Sequence, residues 1–370
     1  MASDPQAAAN QRFVEGLASR LRRKQVVGSR ATALETLLVL RQVVSKARFS
    51  NIDQLVEIIR SVGRRLVDAQ PKEHSVGNTV RKVLHHIREE YHTATETTAS
   101  SSTGKFSIAK FVRQGQPRNN PVPMKSEGKP TLRENDPDHP DSFARGLKPV
   151  LMEAIQDVFD ELETVYDNIS KNAKDHIHSD EIILTLGMSQ TVEFFLKAAA
   201  HHRNYTAIVA ETAPSYGGRE MAQSLALAGI STFLVPDSSI YALMSRVNKV
   251  ILGAHAILAN GGMFATSGSL LAVTAARAYS TPVVVCAGQF KITPLWNLYH
   301  EHGALDFGDP SAVLGFDEGS LVDKVDVVNP FYDYVRPELV DAYITNDGDH
   351  PPSSIYRLIK ESYDDEDIDL

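Results

Sequence analysis

Cysteine is nearly missing from this chain: Cys286 is the only one in 370 residues. That excludes a disulfide framework and a cysteine-rich zinc module. No stretch of 18 or more apolar residues occurs, so no spanning helix is expected. There is no Walker sequence and no G-x-G-x-x-G, which disfavours a nucleoside triphosphatase or a dinucleotide enzyme. H-E-x-x-H is absent too, and neither His85, His86 and Glu89 nor His176, His178 and Asp180 has a specific metal spacing. Positive charge is in the minority, 38 basic against 46 acidic residues for a net −8, which argues against bulk nucleic-acid binding. The start, MASDPQAAANQ, has no basic n-region or apolar h-region, so a reducing, soluble compartment, the cytoplasm, is the expectation.

What is present is ordinary globular material, 42% hydrophobic and 23% charged, long enough for about two domains. Residues 1–96 read as a helical domain. Leu34, Leu37, Leu38 and Val43 recur at helical spacing behind a candidate cap, Ser29. Asn51 opens a second run carrying Leu55, Ile58, Ile59, Val62 and Leu66, and His74 to Glu96 a third with Val80, Val83, Leu84 and Ile87. A helix over Gln11 to Lys24 precedes them and ends in a basic cluster, Arg20, Arg22, Arg23 and Lys24.

Residues 97–145 change character. Thr97 to Thr103 is Ser, Thr and Ala with one Glu before it, and Pro117, Pro121, Pro123, Pro130, Pro137 and Pro140 follow. Few apolar groups offset the entropy of ordering there, so a linker or long loop is expected. A connecting helix then spans 146–178. From 179 to 370 the period shortens: EIILTL, TAIVAE, STFLVP, KVILGA and PVVVCA are apolar strand candidates with helical patterns between them. That order gives an α/β class, a Rossmann-like, mainly parallel sheet covered by helices on both faces. DKVDVV and DAYITN are further strand candidates, and the acidic end ESYDDEDIDL reads as a solvated tail.

Ligands of such sheets sit at the carboxyl ends of the strands. The loop Gly187-Met188-Ser189-Gln190-Thr191 resembles an incomplete nucleophile elbow; alternatively Ser189 caps the helix that follows. Gly217 and Gly218 precede another helix, either as a phosphate seat or as a tight turn. Cys286 reads as a small buried hydrophobe and Trp296 as a packing residue.

The segments ILTLGMSQTVEFFLKAAA, IVAETAPSYGGREMA, MSRVNKVILGAHAILANGG, GSLLAVTAARAYSTPVVVCA, NPFYDYVRPELVDAYITN and PPSSIYRLIKE together resemble the regulatory subunits of eukaryotic translation initiation factor 2B. The resemblance covers about 147–365 and implies kinship with sugar-phosphate isomerases such as methylthioribose-1-phosphate isomerase. It also implies replaced catalytic positions. Where those enzymes carry a cysteine in L-T-x-C, this chain has Gly187; where their G-A-D ends in an aspartate, it has His255. Their R-P-x-x-Q-G-x-R becomes Ala213, Gly217 and Glu220 at its polar positions, and their N-G-D-x-x-N-K begins here with Asn260 but ends in Ala265 and Thr266. Moving a proton between adjacent carbons needs a placed acid and base, which glycine does not supply, and Glu220 repels a phosphate that arginine attracts.

The expectation is thus a non-enzymatic regulatory subunit of an exchange-factor complex, without cofactor or metal, direct nucleic-acid contact or membrane contact. The implied partners are the delta, alpha, gamma and epsilon subunits and the alpha subunit of initiation factor 2, whose phosphorylation it would sense. A vestigial pocket would comprise Gly187, Ser189, Ala213, Gly217, Glu220, His255 and Asn260. Phe331, Tyr332 and Tyr334 are candidates for a subunit interface or for covering their own sheet; Arg20, Arg22, Arg23 and Lys24 are candidates for partner binding or for solvated surface. A divergent isomerase, or a pocket that holds a sugar phosphate or nucleotide, is the competing reading.

Overall fold

The computed structural model describes residues 5–100, 140–296 and 306–370; most of the expected linker therefore lies outside the described residues. Four helices come first: α1 (Pro5–Arg22), α2 (Ser29–Lys46), α3 (Ile52–Ala69) and α4 (His74–Ser100). Asn51 caps α3, its side chain accepting from the Asp53 N–H. Ser29 does not cap α2. It is the first helical residue, and Gly28 holds the cap position with φ +96°, backbone open to glycine and strained for serine. A long helix, α5 (Pro140–Ser170), packs against α2 and α4 and carries the chain to the sheet.

Seven strands follow in the spatial order β10-β9-β7-β4-β1-β2-β3. These are β1 (Ile182–Leu186), β2 (Thr206–Ala210), β3 (Ser231–Val235), β4 (Lys249–Gly253), β7 (Val283–Cys286), β9 (Ala342–Ile344) and β10 (Asp349–His350). All pair parallel except β10. Helices α6 (Gln190–Ala200), α7 (Gly217–Leu227), α8 (Ser269–Ala278) and α9 (Ile355–Ser362) complete the layers. A small antiparallel sheet, β5 (Ala256–Ile257), β6 (Met263–Thr266) and β8 (Tyr332–Val335), stands beside the main one in the order β5-β6-β8. The α/β class with an N-terminal helical region is thus the observed architecture. No helix of the described residues is long and apolar enough to cross a membrane.

Strand residues divide by parity, as a sheet buried on both faces requires. Ile183, Val209, Ile251, Val284 and Ile344 join Leu37, Leu55, Val80 and Leu147 of the helical region in one core. Leu184, Ile208, Val250, Leu252 and Val285 face the other way, onto Ala272, Val273, Ile355 and Leu358. The helical half and the sheet therefore share a hydrophobic core.

Three further expectations are corrected. DKVDVV forms no strand; its alternation lies in turns and irregular chain with Val325 and Val328 exposed, so no sheet face is there to bury them. Trp296 is 56% exposed, its ring only flanking Tyr356 at 6.1 Å, because the chain has left the core by that point. The acidic end is docked. Asp367 is fully buried, receives Arg60 Nε at 2.7 Å and pairs with Arg88. Asp364 binds Arg88 at 2.8 Å and His85 at 3.2 Å, and Arg81 donates to the carbonyls of Asp367 (3.0 Å) and Ile368 (2.9 Å). Basic side chains of α3 and α4 offset the carboxylates' desolvation, which a sequence count of acids does not reveal.

Candidate functional site

In this strand order the chain runs outward from β1 through β2 to β3 in one direction and from β4 through β7 to β9 in the other. The switch point is therefore the gap between the carboxyl ends of β1 and β4. Gly187 follows β1 at φ +67°. A Cβ there would meet Thr212 and Thr266 at ordinary contact distance, so space is available but the backbone disfavours any side chain. Gly217 opens α7 against the same loop: its Cβ would lie 3.2 Å from the Met188 N. Gly218 is obligatory, because a Cβ would fall 1.9 Å from the Ala210 carbonyl oxygen. Ser189 holds the cap position of α6 without a side-chain cap bond, and its Oγ lies against the end of β4, where a Cβ on Gly253 would come within 2.3 Å of it. Gly187, Ser189 and Gly217 thus come together as a tight backbone junction.

Two carboxylates each accept from a pair of backbone N–H groups near that junction. Asp237 accepts from Thr212 N at 2.9 Å and Ala213 N at 2.7 Å, fixing the loop after β2. Asp333 accepts from Gly268 N at 2.8 Å and Leu270 N at 3.0 Å at the start of α8. In a phosphate site such donors face the ligand's oxygens; here the protein's own anions take them. Ala213 and Glu220 lie exposed on the outer side, where Arg219 stacks on Tyr216 at 4.0 Å and pairs with Glu211 at 3.3 Å.

His255 and Asn260 belong to a different constellation. The His255 ring stacks on Tyr332 at 4.1 Å, and its Nε2 lies 3.0 Å from the Lys72 carbonyl oxygen, in the turn between α3 and α4. His74 completes the cluster, stacked on Phe264 at 5.9 Å and edge-on to His255 at 6.1 Å. Burial, then the neighbouring His255, Arg81 and Lys72, push the His74 pKa down to about 3. Asn260 Nδ2 donates to the Tyr334 hydroxyl at 2.8 Å while its Oδ1 accepts from Gly262 N at 3.0 Å. Burial raises the pKa values of Tyr332 and Tyr334. Tyr332 and Tyr334 thus contact residues of their own chain while staying partly exposed; Phe331, 41% exposed under the Lys24 ammonium at 5.0 Å, is the most exposed of the three.

Lys291 was not legible as a site residue. Its Nζ donates to the Ala254 carbonyl at 2.7 Å, tying the chain after β7 to the chain after β4, and burial lowers its pKa to about 8. Asp237 and Asp333 were missed as well; the only signal was an acid following an apolar strand or set among aromatics. Cys286 is fully buried and burial pushes its thiol pKa up, so it is unreactive packing. Among the described residues no three metal-ligating side chains converge.

Most of the basic cluster is already paired: Arg20 with Glu35 at 2.8 Å, Arg22 with Glu15 at 3.1 Å and Lys24 with Asp306 at 2.9 Å. Arg23 is exposed, with no ion pair among the described residues.

A model of the initiation factor 2 subunit family matches residues 25–352. The translation initiation factor eIF2B subunit beta of Schizosaccharomyces pombe is 43% identical over 386 aligned positions, covering 96% of this chain and 97% of its own. The crystal structure of eIF2B beta from Chaetomium thermophilum has a TM-score of 0.71 at 30% identity, covering 96% of this chain and 93% of that one. A chain of the tetrameric eIF2B-beta2-delta2 complex from C. thermophilum has a TM-score of 0.68 at 28% identity, with 95% and 94% covered. With a family match across most of its length and this likeness from end to end, the chain belongs to the initiation factor 2 subunit family, in its eIF2B beta group.

Proposed function

We propose that this chain is a non-catalytic regulatory subunit of the guanine-nucleotide exchange factor for initiation factor 2. It acts in the cytoplasm by pairing with a delta subunit, inside an assembly that also holds alpha, gamma and epsilon subunits. There it binds the alpha subunit of initiation factor 2 and senses its phosphorylation. The observation that carries the reading is the rebuilt switch point: Gly187 has no proton carrier, His255 is committed to Tyr332 and the Lys72 carbonyl, and Asp237 and Asp333 place two carboxylates on backbone N–H groups beside it. A sheet of enzymatic descent has kept its architecture and lost an acid–base pair, so contacts rather than turnover are what it has to offer. The beta–delta tetramer of a relative supplies the form of the pairing.

Two measurements test this. The purified chain incubated with methylthioribose 1-phosphate should give no ketose above background; turnover would restore the isomerase reading. Co-expressed with the other subunits, the chain should enter a complex that binds initiation factor 2 in phosphorylated and unphosphorylated form. Arg23, exposed and without an ion pair among the described residues, and Arg22 beside it are the members of the basic cluster to reverse. Arg22→Glu with Arg23→Glu should weaken one of the two forms about tenfold, through lost charge-assisted bonds, with the complex intact. The effect should shrink as salt rises and charges more than about 8 Å apart are screened. Equal affinities for both forms in the variant and the parent would remove this cluster from the mechanism.

A further inference from the structure

Helices α1 and α2, joined by a short connection, leave a groove of about 370 Å³ along their outer face. Its lining sets apolar side chains beside the Arg20–Glu35 ion pair and Gln42. Leu17 and Val39 belong to the core beneath, while Phe13 and Leu38 stand 48% and 47% exposed above it. One exposed apolar side chain needs no explanation, but two lining one groove do.

Gly16 is a second, independent observation. It lies inside α1, is exposed, and has no left-handed backbone angle. A Cβ built there would meet nothing within 4 Å among the described residues. Neither a turn nor a neighbour calls for glycine at this position, although glycine weakens a helix interior by about 1 kcal/mol relative to alanine. What glycine provides is open floor onto which another backbone can settle closely.

The rim is cationic. Residues 11–50 carry nine basic side chains and only two acids, Glu15 and Glu35, in a chain whose net charge is −8. Both acids are already taken, Glu35 by Arg20 and Glu15 by Arg22 and Arg65. Arg12 lines the groove, exposed Arg41 follows Leu38 by one helical turn, and Lys46 Nζ sits 4.9 Å from the Phe13 ring.

We infer that this groove binds an acidic amphipathic helix of a partner protein. The helix's apolar stripe lies on Phe13, Gly16 and Leu38, and its carboxylates meet Arg12, Arg41 and Lys46. A third helix fits a channel between two helices, with anchors at i, i+3, i+4 and i+7 reaching the floor. Single-stranded nucleic acid is the poorer fit, because it seeks several stacking rings and the groove offers one. The inference rests on the helical half being the docking half; Arg20 of the basic cluster lines the groove, whereas Arg22 and Arg23 do not.

The test is fluorescence anisotropy of the full chain with a labelled helix of about twenty residues, leucine at i, i+3, i+4 and i+7 and glutamate elsewhere. The same leucine pattern with lysine, a scrambled leucine–glutamate peptide and a uridine oligomer are the comparisons. The acidic helix should bind, more weakly at high salt. Gly16→Gln, which favours the helix while filling the floor, should cut affinity at least tenfold, as should Phe13→Ala and Arg12→Glu with Arg41→Glu, all with unchanged circular dichroism. Equal binding of the lysine or scrambled peptide, capture of the uridine oligomer at these residues, or indifference to Gly16→Gln would overturn it. None of these variants touches Arg22 or Arg23. Loss of the groove with retained binding of initiation factor 2 therefore separates this inference from the function proposed above.

Discussion

Asp367→Ala should lower the unfolding free energy by about 3 kcal/mol, a loss of the size seen when one partner of a buried ion pair is removed. Asp367 is fully buried, and the two cations around it, Arg60 and Arg88, have side chains only 21% and 19% exposed. Truncation leaves both guanidinium groups under-paired where water reaches them poorly, so the penalty is the cost of stranded charge rather than one lost bond. The contact also spans the fold, since Asp367 lies 307 residues from Arg60 and reaches α3 from the far end of the chain. Arg81 holds the neighbouring carbonyls, and the Tyr363 hydroxyl donates to the Ile292 carbonyl at 2.8 Å. The loss should therefore include looser docking of α3 and α4 onto the sheet. Urea unfolding gives the magnitude, and hydrogen exchange should show faster opening in α3 and α4. Combining Asp367→Ala with Arg60→Met should recover part of the loss, because the stranded cation goes too. A midpoint shift within error of zero would mean that the acidic end is solvated after all.

Acidification below pH 6.5 should destabilise the protein through His74. Its folded pKa is about 3 against about 6.5 in the unfolded chain, so the unfolded state takes up the proton first. For a depressed pKa the stabilisation is complete above pH 6.5 and is lost progressively as pH falls toward 3. The slope approaches 1.4 kcal/mol per pH unit, or about 2 kcal/mol by pH 5. The causes agree in sign: His74 opens α4, where the helix end is already positive, lies under Phe264, and faces His255, Arg81 and Lys72. Burial and Lys82 lower His86 as well, adding to the slope. Asp364 works in a lower window: the hydrogen bonds from Arg88 and His85 outweigh its burial and hold its carboxyl below the usual range, so its share persists until pH falls below about 4. Thermal melts between pH 7.5 and 4.5 read this directly. His74→Phe, which keeps the ring against Phe264, should flatten the curve between pH 6.5 and 5. An unchanged slope would assign the acid sensitivity to other groups.

Much of the architecture was legible because it rests on local periodicity. Apolar runs of about five residues mark β1, β2, β4 and β7, whose central residues are buried on both faces. Spacing of three and four marks α3, where Leu55, Ile59 and Leu66 are fully buried, and Asn51 caps it. Of the candidate site, the glycine positions were readable as turns, and the segment NPFYDYV was readable as distinctive. Its use was not: Asp333 caps α8 and Tyr332 stacks on His255, contacts made across tens of residues of chain.

What the sequence by itself determined is the N-terminal helices, the main parallel strands with the helices between them, and the family, because hydrophobic spacing and capping residues act within a few positions of themselves. The tertiary structure alone decided which polar groups meet. The same acidic end reads as solvated tail by composition and becomes a buried clamp once α3 and α4 present Arg60, Arg81 and Arg88 to it. The same basic cluster reads as a free face and proves largely paired within the chain. A charged side chain's environment is set by whatever packing brings within about 4 Å of it, and nothing in its immediate sequence encodes that neighbour.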